Sequence, residues 1–503
     1  MNLKPLGLIA LALSTPALAD GLRVASWNIT NYSGGRVSEF QTAIYAQFEG
    51  RSMSPDVIAI QEMISQAGVN AFLSILNTAP GSPGDWAAAP FINGNDTDNA
   101  FFYRTTRVDF LGVTVVALGA SPPEQPRDTD RYDFRPIGYD ADAATVAFYS
   151  CHMKSGSASA DGQRRLLEAQ RIRDDAETLP EGWAFMVGGD YNIPSSSQAA
   201  YVELVGVQAN NDGRFYDPIA TPGSWQNNGT CRFVHTQDPT GAGGMDDRYD
   251  QILVSANLGD GEGLDYLGAF GVPYSNTTWN DPNHSYRSWG NDGTSFNLGL
   301  TVNGNTMVGP DIALALVLST GGQGGHLPVF LDLVVPPRAQ ATASLDFGAV
   351  PVGATVSLPI TVANAGDVGA WGVTGIDDLD YQLIASPAID APVGAFALDA
   401  GQSAEHTISV TSATPGLVEG VVIVSSDDPV NPEIEIPVTA FFTSGCSVAD
   451  LAEPFGALDF SDVVAFLTAF AAMQPAADLA APLGVYDFSD VVAFLTAFAG
   501  GCP

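Results

Sequence analysis

The sequence predicts an α+β chain in three parts. Between residues 20 and 336, short apolar runs read as strands and alternate with a helical stretch, the pattern of a mixed sheet-and-helix domain. From 337 to 443, several period-two runs are separated by turn signals, the pattern of a small β-sandwich. From 444 to 503, the block DFSDVVAFLTAFA occurs twice with helical spacing, which predicts a small two-helix repeat domain.

The first residues stand outside this scheme. Lys4 precedes the apolar run Pro5–Leu13, and Ala17-Leu18-Ala19 is a small-residue cleavage site. Residues 1–19 therefore read as a signal peptide, and the mature chain is expected to be secreted or held at the cell surface. No later stretch approaches a membrane-spanning length of apolar residues. Net charge is −37, and the only lysines are Lys4 and Lys154. The acid is spread along the chain as a solvated surface. It argues against tight non-specific binding of nucleic acid, which needs Lys and Arg to neutralise phosphates. In an exported chain, Cys446 and Cys502 bracket the last segment and predict a disulfide. Cys151 and Cys231 are a candidate second pair, with two buried thiols as the alternative.

Within 20–336, Val24–Asn28, Asp56–Glu62, Thr145–His152, Ala184–Val187, Tyr249–Ser255 and Leu327–Val334 read as strands. Gln163–Leu179 reads as a helix with Leu166, Leu167 and Ala169 inward and Arg164, Arg165, Arg171 and Arg173 on the surface. In the second part Val356, Leu358, Ile360 and Val362 alternate with polar residues, and later runs repeat the pattern. In the tail, Ser461 and Ser489 are expected N-caps of two helices that bury a face against each other.

Six positions stand at the ends of apolar runs in the first part: Asn28, Glu62, His152, the pair Asp190 and Asn192, Asp250, and His326. Polar groups there cost folding energy unless water, a metal or one another satisfies them. Two histidines, three carboxylates and two asparagines suit metal-assisted hydrolysis of a phosphate ester. Glu62 with the Asn28 amide oxygen is a minimal hard-oxygen site for Mg²⁺. His152 can donate to a phosphoryl oxygen, Asp190 can orient or deprotonate water, and Asn192 can hold phosphate. Asp250 would orient the His326 imidazole and stabilise its charged form. His284, Tyr286 and Arg287, and Arg127, Arg131 and Arg135, are candidate substrate loops or ordinary surface.

These residues lie in blocks that resemble the endonuclease/exonuclease/phosphatase superfamily, the fold of DNase I. The blocks are SWN with Asn28, QE with Glu62, FYR at Phe102–Arg104, H-x-K-S with His152, GDYN, DRYDQILVS and GHLPV. The resemblance implies a four-layer α/β sandwich. It implies Mg²⁺ or Mn²⁺ on Glu62 and Asn28, phosphate contacts from His152 and Asn192, and an Asp250–His326 pair. It also implies a phosphate or backbone contact from Tyr103. One departure stands out: the family has Asp just before the histidine, where this chain has Gly325.

The second part resembles Ig-like domains of the ASPM/SPD-2/Hydin type. The tail resembles a divergent dockerin, which implies a cell-surface or cohesin-like partner. It also implies weak Ca²⁺ binding through Asp450, Asp459 and Asp462 and through Asp478, Asp487 and Asp490. The expected activity is that of a metal-dependent phosphodiesterase or nuclease. The alternatives are a phospholipid or inositol-phosphate hydrolase of the same fold, and a non-catalytic binding protein on a degenerate hydrolase fold.

Overall fold

Alternation along the first strand sets the layering. In β1 (Leu22–Tyr32), Ala25, Trp27 and Ile29 enter an apolar core shared with helices, while Ser26 and Asn28 face the other way. The computed structural model describes residues 21–241 and 243–502, so the signal-peptide expectation lies outside the described residues. The chain divides into two units. The first runs to Val335 and takes in Gly369–Gly375; the second comprises Pro336–Val368 and the chain from Ile376.

In the first unit β1 is followed by α1 (Val37–Tyr45), β2 (Val57–Met63), α2 (Gln66–Thr78), β3 (Trp86–Ala88), β4 (Asp98–Arg104) and β5 (Val108–Ala117). Then come β6 (Thr129–Pro136), β7 (Val146–His152), α3 (Ser159–Ala176), β8 (Ala184–Asp190), α4 (Ala199–Val205) and β9 (Asp250–Val254). β10 (Asp265–Tyr266), β11 (Arg287–Ser288), α5 (Gly309–Ser319) and β12 (Val329–Val334) complete it. One sheet has the order β10-β12-β1-β2-β4-β3, with β11 also on β12; the other has the order β5-β6-β7-β8-β9. α1, α2 and α5 share the core of the first sheet's outer face. α3 lies on the outer face of the second sheet, where Tyr149 and Arg131 both bond Asp175.

Between the sheets, Phe101 stacks on Tyr132 at 4.7 Å. Beside this apolar contact runs a polar seam: Gln61 Nε2 donates to Ser150 Oγ (3.0 Å), which donates to Asn99 Oδ1 (2.9 Å). The seam satisfies groups whose burial would otherwise destabilise the interior. Arg164, Arg165 and Arg173 are not on the surface as expected. All three are buried, their guanidinium groups pinned to carbonyls, for Arg173 those of Glu203 and Gly206. Helical spacing alone does not distinguish such anchors from solvated charge.

The second unit holds two sheets with one core between them. One has the order β13 (Ala339–Ala341), β15 (Thr355–Asn364), β19 (Ser403–Thr411), β17 (Ile389–Asp390). The other has the order β14 (Leu345–Pro351), β21 (Glu433–Thr443), β20 (Gly416–Ser426), β16 (Leu379–Ala385), β18 (Ala395–Leu398). Two terminal helices, Phe460–Ala471 and Phe488–Gly500, stack Phe466 on Phe494 at 4.1 Å. Cys446 and Cys502 form a disulfide. Among the described residues no helix is long and apolar enough to cross a membrane.

Three expectations are corrected here. Cys151 and Cys231 are free and buried: Cys151 lies on β7 with its side chain away from the other sheet, and Cys231 Sγ approaches Ser224 O. The tail N-caps are Asp459 and Asp487, not the serines two residues later, because each carboxylate accepts the serine's N–H. Neither aspartate trio gathers around a common ion position. Asp462 accepts N–H from Leu451, Ala452 and Asp459, and Asp490 from Leu479, Ala480 and Asp487. Asp450 and Asp478 accept from Gly456 and Gly484, so these loops are closed by backbone amides.

Candidate active site

Strand register assembles the polar row. β7 and β8 pair with His152 opposite Asp190, and β8 and β9 pair with Asp190 opposite Asp250. The three side chains share the face that carries Ser150 toward the first sheet. Gly189, next to the row, has φ 151°, and a Cβ there would stand 1.9 Å from the Cys151 carbonyl oxygen. Only glycine lets the two strands close at this point.

The first sheet adds Asn28 and Glu62. Asn28 Nδ2 donates to Glu62 Oε1 (2.9 Å) and to Asp190 Oδ2 (3.2 Å), bridging the two sheets. Alternation would turn Glu62 away from Gln61 and out of the seam. Its φ of 62°, where the β2–β4 register shifts, swings the side chain back beside Asn28. Glu62 Oε2 then accepts the Asn31 N–H at 2.8 Å.

His326 arrives just ahead of β12, its carbonyl accepting from Trp27 Nε1 (2.9 Å). Its Nδ1–H donates to Asp250 Oδ2 at 2.8 Å, and Thr236 Oγ1 donates to the same oxygen at 2.6 Å. His326 Nε2 lies 3.6 Å from Asp190 Oδ2, and His152 Nε2 lies 3.3 Å from that oxygen and 3.9 Å from Glu62 Oε1. Asn28, His152, Asp190, Asp250 and His326 are buried; Glu62 and Asn192 are half-buried.

The two histidines differ in charge. Burial pushes the His326 imidazolium down, but Asp250 and Asp190 outweigh it and raise the pKa to about 10. His152 is pushed well below its ordinary value by burial and by the cations Arg127, His326 and Lys154, so it is neutral. Burial, with Asp250 and Glu62, raises Asp190 to about 6 against the pull of His326. The folded chain thus holds a proton on His326 more tightly than the unfolded one, whose value is near 6.5. The resulting stabilisation is complete below pH 6.5 and is lost as pH rises through about 10. Urea unfolding at pH 6, 8 and 10 is expected to show this decline in wild type and a flatter profile in His326→Gln.

Asn192 leaves the strand at φ 50°. Its N–H bonds Asp190 Oδ1 (3.0 Å) and its Nδ2 the Met153 carbonyl (3.2 Å). It therefore borders the row. Tyr103 does not: β4 runs antiparallel to β2, so its first residues, Asp98 and Asn99, lie toward Glu62, while Tyr103 pairs with Val57 at the opposite end and stacks on Phe110. His284 and Tyr286 are buried beside Tyr266. Arg131 is spent on Asp133 and Asp175, and Arg127 alone of that trio bonds a site residue, through the His152 carbonyl.

Sequence reasoning missed the segment Thr236-Gln237-Asp238. Thr236 fixes Asp250, and Gln237 Nε2 lies 3.2 Å from His326 Nε2. The Asp238 carboxylate lies beside Gly324, since a Cβ built there would be 3.3 Å from Oδ1. Thr240 ties its loop to the turn before His326 by bonds to Gly324 O (3.0 and 3.1 Å). His326 and Asp250 both act electrostatically on Asp238. The only signal in the chain was three polar residues just ahead of a glycine-rich loop.

No family model and no curated protein matches the chain. Many solved structures are similar to it, among them the following three. D. rerio TDP2 complexed with single-strand DNA product is 13% identical, covering 62% of this chain and 98% of that one, with a TM-score of 0.35. An endonuclease/exonuclease/phosphatase family protein from Bacteroides thetaiotaomicron is 14% identical, covering 62% and 94%, with a TM-score of 0.33. The ASH/PapD-like domain of human CEP192 is 11% identical, covering 21% and 86%, with a TM-score of 0.18. The reading of the site rests on its own geometry.

Gly325 itself has φ 75°, and a Cβ there would stand 2.5 Å from Thr320 Cβ and Cγ2. The turn before His326 takes no side chain. A carboxylate does lie beside the preceding residue, Gly324, and it comes from Asp238.

Proposed function

We propose that the first unit hydrolyses phosphoesters, most directly phosphodiesters, with a divalent cation, Mg²⁺ or Mn²⁺. The observation that supports this reading is the convergence of His152, Asp190, Asp250 and His326 with Asn28 and Glu62 in one bonded group between two sheets. Glu62 fits such a cation, as a half-buried hard carboxylate held from two sides by N–H donors. The Asn28 oxygen already accepts the Thr30 N–H at 3.0 Å and has one lone pair left for a cation. When bound, the cation supplies Lewis acidity toward a phosphoryl oxygen.

The remaining roles belong to the chain's own groups. Asp190, held close to neutral proton affinity, orients a water and takes its proton. His326, kept charged by Asp250, presents Nε2–H toward negative charge developing on the phosphoryl group. Neutral His152 and the Asn192 amide are further donors to phosphate oxygens. The acidic chain favours small or lipid-borne phosphodiesters over polymeric DNA. Export through residues 1–19, and capture of a surface partner by the tail, belong to the same proposal. Exposed Phe460, Val464 and Leu467, matched in the second helix by Phe488, Val492 and Leu495, support the tail's part in it.

Bis-p-nitrophenyl phosphate, sphingomyelin and plasmid DNA, each with Mg²⁺ and with EDTA, test the reading. Turnover of at least one is expected with Mg²⁺ and lost with EDTA. Absence of turnover on all three overturns it.

A further inference from the structure

A second cleft lies at the other end of the first sheet. β1 carries Arg23 at its start and Asn28 further on, so at about 3.3 Å per residue the two ends are roughly 16 Å apart. The cleft encloses about 630 Å³ on the helix-bearing face, within the range of small-molecule sites. Five arginines line it, in a chain with only 19 basic residues and a net charge of −37.

Three of these arginines are neutralised. Arg23 forms a bidentate pair with Asp332 (2.7 and 2.9 Å), and Arg104 and Arg107 share Asp56, with Asp85 also on Arg104. The other two differ. Arg287 bonds the carbonyls of His284, Tyr286 and Asp281, and the Tyr274 hydroxyl lies beside it. Arg51 bonds the carbonyls of Thr306 and Met307 and the exposed Glu49. Arg51 also lies over the Trp279 ring, 5.2 Å from its centroid. Among the described residues, Arg51 Nη1 makes no hydrogen bond. The buried Tyr45 hydroxyl faces Ser82 and Trp86 without a well-formed hydrogen bond to either.

Arginine occupies the carbonyls of Thr306, Met307, His284, Tyr286 and Asp281, and Arg51 Nη1 is left as a donor. A planar aromatic face, Trp279, stands beside it. We infer that this cleft binds an organic anion with a planar ring, the chemistry of a nucleoside monophosphate, separately from the catalytic row. Guanidinium N–H groups and a tyrosine hydroxyl match phosphate oxygens, and Trp279 takes the ring. A bare inorganic anion is too small to fill the space.

Calorimetric titration of the full chain in EDTA, with AMP, adenosine and inorganic phosphate as probes, tests this. AMP is expected to bind, and adenosine and phosphate at least tenfold more weakly. Arg287→Gln and Trp279→Ala are each expected to weaken AMP about tenfold in chains that circular dichroism shows to be folded. His326→Gln, which removes the proposed activity, should leave AMP binding intact. Failure of AMP to bind at millimolar concentration overturns the inference, as does undiminished binding by an Arg51→Gln/Arg287→Gln double variant. Loss of binding in His326→Gln would place AMP at the catalytic row and overturn it equally. Failure of the phosphodiesterase assay leaves this inference standing.

Discussion

His326→Gln is expected to lower turnover of bis-p-nitrophenyl phosphate by roughly 10²–10⁴-fold, the range for loss of a positioned proton donor. KM should change little, because the group acts on charge that develops in the transition state. The imidazolium is buried between Asp190 and Asp250, and no exposed cation can replace it there. Asp250→Asn should fall by a similar factor, since it removes the charge that most strongly keeps the ring protonated. The two losses should not add. Once either member is gone the pair no longer acts as a unit, so the double variant should resemble the worse single one. Circular dichroism separates this from misfolding. Near-wild-type turnover in His326→Gln would remove the histidine from the mechanism.

The strand-end residues were legible in the sequence because each terminates a strongly apolar run. Asn28, His152, Asp190, Asp250 and His326 meet where the register of five strands brings those ends together. β5 and β6 were not legible. Their runs mix Arg, Asp and Thr with aromatics, since Arg131 and Asp133 pair with each other and Arg131 also with Asp175. The burial of Arg164, Arg165 and Arg173 was hidden for a related reason: a guanidinium satisfied by carbonyls has the same spacing as one in water. The resemblance of FYR to a family block implies a contact from Tyr103, but strand direction decides which end of β4 meets the site. Glu62 joins the row although strand alternation alone points it outward; a left-handed residue at a register shift has no signature in a single sequence. The Asp238 contribution depends on a loop crossing from the segment before β9 to the turn before β12, which nothing local encodes.

Gly325→Asp is expected to destabilise the fold and not to raise the rate. Restoring an acid at this position is attractive only if the backbone can carry a side chain there. At φ 75° a non-glycine residue costs about 1–2 kcal/mol, and a Cβ 2.5 Å from buried Thr320 adds overpacking of about 1–3 kcal/mol. The melting temperature should fall by several degrees or more, with turnover reduced in step. Asp238→Asn should do the opposite in both respects. Burial raises the Asp238 pKa to about 6, beyond what His326 offsets, so the folded state bears its charge at a cost near neutral pH. An uncharged isostere should leave the melting temperature unchanged or higher. If Asp238 supplies the carboxylate missing at Gly325, turnover should nevertheless fall about tenfold or more, because a negative charge facing His326 is lost. Stability maintained while rate is lost is the pattern of a residue held for chemistry and not for packing. Full activity in Asp238→Asn, or a gain in rate from Gly325→Asp, would show that the turn before His326 needs no carboxylate from the Asp238 loop.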